Sequence, residues 1–166
     1  MKKGFIFIII GTVLGALLMG CSQENKPVKI TNPMDRAISH YILKYNKNKY
    51  LKTDKQFEVH KLYGASKNGK GGIDVYIYSV YEGFDKESKN KVKSGGSLPA
   101  LVKLKKIDNQ YKVIGYKEPD DGSGWTPSIK KMFPPKYANE AIKGTGVEAI
   151  QHQLDKKVNE WLENAK

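Results

Sequence analysis

Ile73-Asp74-Val75-Tyr76-Ile77-Tyr78-Ser79-Val80-Tyr81-Glu82 reads as a β-strand, because β-branched and aromatic side chains suit a pleated, packed surface. Alternation puts Tyr76 and Tyr78 on one face and Tyr81 on the other. Upstream, Gln56 to Ala65 is a second strand-like segment with Phe57, Val59 and Tyr63 on one face. The intervening Asn68-Gly69-Lys70-Gly71-Gly72 is a turn cluster. Downstream, Gly83 to Gly96 reads as a polar loop, with Ser94-Gly95-Gly96-Ser97 as its flexible end. Ser97 to Lys106 then alternates Leu98, Ala100, Val102 and Leu104. Pro99 cannot donate to a ladder, so it belongs at an edge, a strand start or a bulge. Asp108-Asn109 is a tight hairpin signal. It leads into Gln110 to Lys117, with Tyr111, Val113 and Gly115 opposite Lys112, Ile114 and Tyr116.

Helical patterns flank these strands. Asn32-Pro33-Met34-Asp35 carries a helix start, with Asn32 as N-cap, Pro33 at the first helical position and an acid in the first turn. Met34, Ala37, Ile38, Tyr41, Ile42 and Tyr45 follow at the spacing of one helical stripe. After the strands, Thr126-Pro127 opens a short helix over Ser128 to Phe133, which Pro134-Pro135 ends. A further turn or two fits Tyr137 to Lys143. Beyond Gly144-Thr145-Gly146, a last helix carries Val147, Ile150, Leu154, Val158, Trp161 and Leu162 on one side. The expectation is an α+β domain: a curved, four-stranded antiparallel sheet with helices on one face, wrapped on the N-terminal helix in a broadly cystatin-like way, and closed by C-terminal helices.

The N-terminal end carries an address. Met1-Lys2-Lys3 is positive, and Gly4 to Gly20 is uncharged and rich in Phe, Ile, Leu and Val, the layout of a secretory signal peptide. As a spanning helix the run is slightly short and holds four glycines. It ends in Leu18-Met19-Gly20-Cys21, which resembles the lipobox of bacterial lipoproteins; Met19 is an unusual second residue for that motif. The resemblance implies cleavage before Cys21, a diacylglycerol thioether on its thiol and fatty acyl chains such as palmitate. Cys21 is the only cysteine in the chain, which excludes an intrachain disulfide and a multi-thiolate zinc site. The organisation expected is therefore a signal peptide over 1–20, the lipidated cysteine and a polar tether over 21–31, and a single α+β domain over 32–166. The location expected is the extracytoplasmic face of a Gram-positive cell membrane, held there by lipid.

Composition limits what the domain does. The 166 residues are 39% hydrophobic and 28% charged, with 29 Lys+Arg against 17 Asp+Glu and a net charge of +12, ordinary for one globular domain apart from the basic excess. Eight lysines lie between Tyr41 and Gly71, against Asp54 and Glu58. They suit an anionic wall polymer or a lipid surface, or form a plain solvated face. With an address outside the cell and no reader motif, nucleic acid is not an expected partner. His40, His60 and His152 are scattered. No metal-ligand spacing, nucleophile elbow or phosphate loop occurs, so no cofactor, metal or catalytic residue is assigned. The most distinctive loop is Glu118-Pro119-Asp120-Asp121-Gly122-Ser123-Gly124-Trp125-Thr126-Pro127. Asp120, Asp121 and Trp125 are its candidate binding residues, as carboxylates and a stacking indole. The same residues equally shape a turn and plug a core.

Phe57-Glu58-Val59-His60, then Val75 to Tyr81, then Asp121-Gly122-Ser123 with Ile129 and Phe133-Pro134 resemble an uncharacterised family of Firmicutes surface lipoproteins. The pattern is also similar to the extracellular tail domain of beta-lactam-sensor-type membrane metallopeptidases. The resemblance runs roughly from Phe57 to Pro134, and Asp-Gly-Ser…Phe-Pro is its most specific part. It implies an extracytoplasmic module of a sensory kind. It carries over no catalytic residue, because the peptidase's zinc helix lies outside the shared part. The function expected is a non-catalytic binding or sensing module; the alternatives are an extracytoplasmic enzyme using the acidic loop as acid and base, with Asp120 or Asp121 beside His60, and an assembly partner of a membrane complex.

Overall fold

The computed structural model describes residues 26–164; the signal-peptide segment and Cys21 lie outside them. The order is α1 (Asn32–Asn46), β1 (Lys55–Lys67), β2 (Ile73–Phe84), β3 (Ser94–Ile107), β4 (Gln110–Lys117), α2 (Trp125–Met132), α3 (Pro135–Ile142) and α4 (Val147–Asn164). The four strands form one antiparallel meander in the order β1-β2-β3-β4. This is the expected α+β architecture, an N-terminal helix on a curved four-stranded sheet with helices after it.

Helices cover both faces, not one. Val75 and Ile77 join Met34, Ile38 and Ile42 of α1 in one apolar cluster, with Ala100, Val102 and Leu104 of β3. On the opposite face, Tyr76 and Leu101 pack with Ile129, Met132, Phe133, Ala138 and Ala141 of the α2–α3 region. Val59, Val80 and Phe84 pack there with Ile150, Leu154 and Val158 of α4. The cause lies in β2: residues on both of its faces are buried, so a single helix layer leaves one apolar face in water. Each fully buried aliphatic side chain contributes on the order of 1.5–3 kcal/mol, enough to require the second layer.

Several local expectations are corrected. Thr31, not Asn32, is the N-cap of α1, because the Asp35 amide donates to the Thr31 carbonyl (3.0 Å). The polar loop after β2 is shorter than expected. Ser94, Gly95 and Gly96 belong to β3 and pair with Gly83, Glu82 and Tyr81. Gly95 and Gly96 are there for close approach: a Cβ on Gly96 meets the Tyr50 hydroxyl and one on Gly95 meets the Tyr81 carbonyl. In β4, a bulge skips Ile114, so Val113 opposes Leu104 and Tyr116 opposes Val102. Val113 and Tyr116 consequently share the α1 face, whereas strict alternation separates them. Pro99 sits within β3, but β4 ends at Lys117 opposite Leu101, so β3 is an edge at that point. Asp108 and Asn109 both take positive φ (50° and 61°), as a two-residue hairpin turn requires.

The segment before α1 is tied to the sheet. Pro27 forms an isolated bridge with Ser66 at the open edge of β1. The Val28 amide donates to the Ala65 carbonyl (2.8 Å), and the Lys67 amide to the Lys26 carbonyl (3.1 Å). Antiparallel pairing makes the chain enter at the end of the sheet that holds the β1–β2 and β3–β4 turns.

Candidate functional site

The acidic loop closes on itself. The Asp120 amide donates to Ser128 Oγ (2.9 Å), and that hydroxyl donates to the Trp125 carbonyl (2.9 Å). Gly122 takes φ +58°, where a side chain is strained, and the Gly124 amide returns to the Asp121 carbonyl (3.2 Å). Trp125 is half-buried against the α2–α3 cluster. Asp120 and Asp121 are exposed. Glu118 is engaged elsewhere, accepting from Lys49 Nζ at 2.7 Å. Burial alone lowers the Lys49 pKa; the Glu118 carboxylate, with Tyr45, holds it above the ordinary value.

His60 is not beside Asp120 or Asp121. Its imidazole is 5% exposed and lies between two other carboxylates. Nδ1 is 2.9 Å from Glu58 Oε1 and Nε2 is 3.2 Å from Asp35 Oδ1. Glu58 and His60 are two apart on β1, so both point at α1, where Asp35 in its first turn meets them. Glu58 has a fully buried side chain, and its Oε2 has no partner among the described residues. Burial lowers the His60 pKa; the Glu58 hydrogen bond and charge, with Asp35, outweigh it and raise the pKa above 6.5. Sequence reading missed this trio, although Glu-x-His on a strand was its visible half.

Beside the trio is an aromatic group. Tyr41, Tyr45 and Tyr116 pack at centroid distances of 4.8–5.9 Å. Burial, and then the charge of Glu118, pushes the Tyr116 phenol far above its usual range, so it is a neutral packing group at ordinary pH. Among the described residues, no cluster of three or more His, Cys, Asp or Glu is arranged to hold a metal ion.

Some of the lysines line two basic surfaces. One is a groove of about 370 Å³ between the second half of α1 and the start of β1, lined by His40, Leu43, Lys44, Lys47, Lys55 and Gln56. Its lysines and His40 recur along one side of the helix. Asp54, the nearest acid in sequence, accepts instead from the Lys86 amide (3.0 Å). The second surface is a cavity of about 240 Å³ at the opposite end of the sheet, where Lys67, Gly72, Lys105, Lys106 and Tyr111 meet. Comparison with protein-family models, curated proteins and solved structures found no match.

Proposed function

We propose that this chain is a lipid-anchored lipoprotein of the extracytoplasmic membrane face, whose domain binds or senses a ligand without catalysis. The observation that carries the reading is Leu18-Met19-Gly20-Cys21 at the end of an uncharged apolar run, holding the chain's only cysteine. Two acyl chains give stable anchoring where one gives marginal binding. Among the described residues no helix is long and apolar enough to cross a membrane; the reading assigns attachment to the lipid.

The groove of His40, Lys44, Lys47 and Lys55 suits a polyanion such as a phosphate-bearing wall polymer. Asp120 and Asp121, exposed beside the Trp125 turn, offer carboxylates to a cationic or hydroxyl-bearing ligand. Against the acid–base alternative, the one buried histidine is paired with Glu58 and Asp35, away from the acidic loop.

The test is processing in the native host. Globomycin is expected to accumulate the uncleaved precursor, and Cys21→Ala to release or mislocalise the protein. Normal processing and membrane retention of Cys21→Ala contradicts the reading.

A further inference from the structure

We infer that the end of the sheet bearing Lys67, Lys105 and Lys106 is a docking surface for anionic phospholipid head groups, so that the domain stands on the bilayer in one orientation. The inference rests on the reading of Cys21 as acylated.

Residues 26–28 are paired to the edge of β1 at Ala65–Lys67, so the chain leaves the domain beside Lys67 and the β1–β2 turn. Only Ser22 to Asn25 separate Lys26 from Cys21. A chain of that length reaches at most about 18 Å. The acyl group therefore holds this end, and no other, against the head groups.

The chemistry of that end fits. Lys67, Lys105 and Lys106 line a cavity there, and Lys26, Lys70 and Lys112 are exposed around it. Among the described residues the acids nearby are Asp74 and Asp108. Asp74 is occupied, accepting from Lys103 Nζ (3.1 and 3.2 Å) and from Asn68 Nδ2 (2.8 Å). Asp108 is exposed at the hairpin tip. The net field is positive, and the cavity has room for a phosphate with its first carbons.

Distance excludes the other basic surface from this role. Lys55 pairs with Phe84, at the far end of a 12-residue strand. That strand is about 40 Å long at roughly 3.3 Å per residue. Screening acts over about 8 Å at physiological salt, so lysines that far off contribute nothing to lipid attraction. The tether thus sorts two similar patches: one toward lipid, the other, with Lys44, Lys47 and Lys55, toward whatever lies outside.

The test uses the acylated full-length product purified from cells and placed on vesicles of phosphatidylcholine with 30% phosphatidylglycerol (roughly the anionic fraction that gives a strong surface field). One fluorophore is attached at Gln110→Cys, beside the hairpin tip, and in a second sample at Asn90→Cys, in the β2–β3 loop. Energy transfer to a head-group acceptor is expected to be several-fold stronger from the first position. Lys67, Lys105 and Lys106→Gln, or 1 M salt, is expected to reduce it while the protein stays on the vesicles. Lys44, Lys47 and Lys55→Gln is expected to leave it unchanged. Equal transfer from both positions, or indifference to lysine neutralisation and salt, overturns the inference alone. Loss of the signal on adding soluble polyglycerolphosphate, but not on adding free phosphatidylglycerol micelles, assigns the surface to wall polymer and overturns the lipid assignment. Absence of acyl mass on Cys21 overturns the anchor reading and the inference with it.

Discussion

Replacing His60 by leucine is expected to destabilise the domain by about 3–5 kcal/mol, because it strips a buried carboxylate of its partner. The structure sets the size. The Glu58 side chain is fully buried, its Oε1 is 2.9 Å from His60 Nδ1, and its Oε2 has no partner among the described residues. Once the imidazole is gone, Glu58 is a buried, unpaired charge. Glu58→Leu alone removes that charge but leaves His60 with Asp35 only, 3.2 Å away and mostly exposed, and is expected to cost about 1–2 kcal/mol. The double variant Glu58→Leu/His60→Leu replaces a buried pair by apolar side chains under α1, an exchange that is often neutral. It is expected to lie within about 1 kcal/mol of the parent. Urea titrations followed by far-UV circular dichroism give the cycle, with an unchanged slope confirming that the native and denatured states remain comparable. The predicted coupling is about 3 kcal/mol or more. Single-variant losses that simply add, within about 0.5 kcal/mol, refute the idea that Glu58 and His60 form one buried unit.

Stability should also respond to pH through His60. Its folded-state pKa is raised above 6.5, so its contribution is complete below about pH 6.5 and is lost as pH rises through the raised value; the melting temperature is expected to fall across that window, and His60→Gln to flatten the profile. Glu82 is half-buried beside Gln151, and burial raises its pKa. Glu82→Gln is accordingly expected to stabilise the fold at pH 7 by up to about 0.5 kcal/mol, with the gain vanishing below pH 4 in the same urea assay. A Cβ on Gly64 runs into the Tyr137 ring. Gly64→Ala is thus expected to cost about 1–3 kcal/mol by overpacking, and combining it with Tyr137→Ala to remove most of that overpacking cost in a thermal-melt cycle. Leu154→Ala, at a fully buried position of α4, is expected to cost about 2–5 kcal/mol and to loosen α4 in hydrogen exchange.

The order of elements was legible because the periods are clean. The stripe from Met34 to Tyr45 can only be a helix face, and Ile73 to Glu82 only a strand. What stayed hidden depended on non-local contacts. Gly95 and Gly96 looked like loop residues, yet they are strand residues, Gly96 thinned to admit Tyr50 and Gly95 to clear the Tyr81 carbonyl. The bulge at Ile114 has no local signature, so the face of Tyr116 could not be read. The second helix layer was implied by β2 being apolar on both faces, a feature of buried strands that alternation rules discount. Of the candidate binding residues, Asp120 and Asp121 are exposed and Trp125 is packed. The Glu58–His60–Asp35 trio joins residues 25 positions apart in sequence, and only the fold brings Asp35 to the other two.

The most direct test of the whole account is the intact mass and N-terminal peptide of the protein recovered from the membrane fraction of its host. The account requires a mature chain that starts at Cys21, with a diacylglyceryl group on sulfur. A peptide that begins at Met1 and carries an unmodified thiol contradicts it.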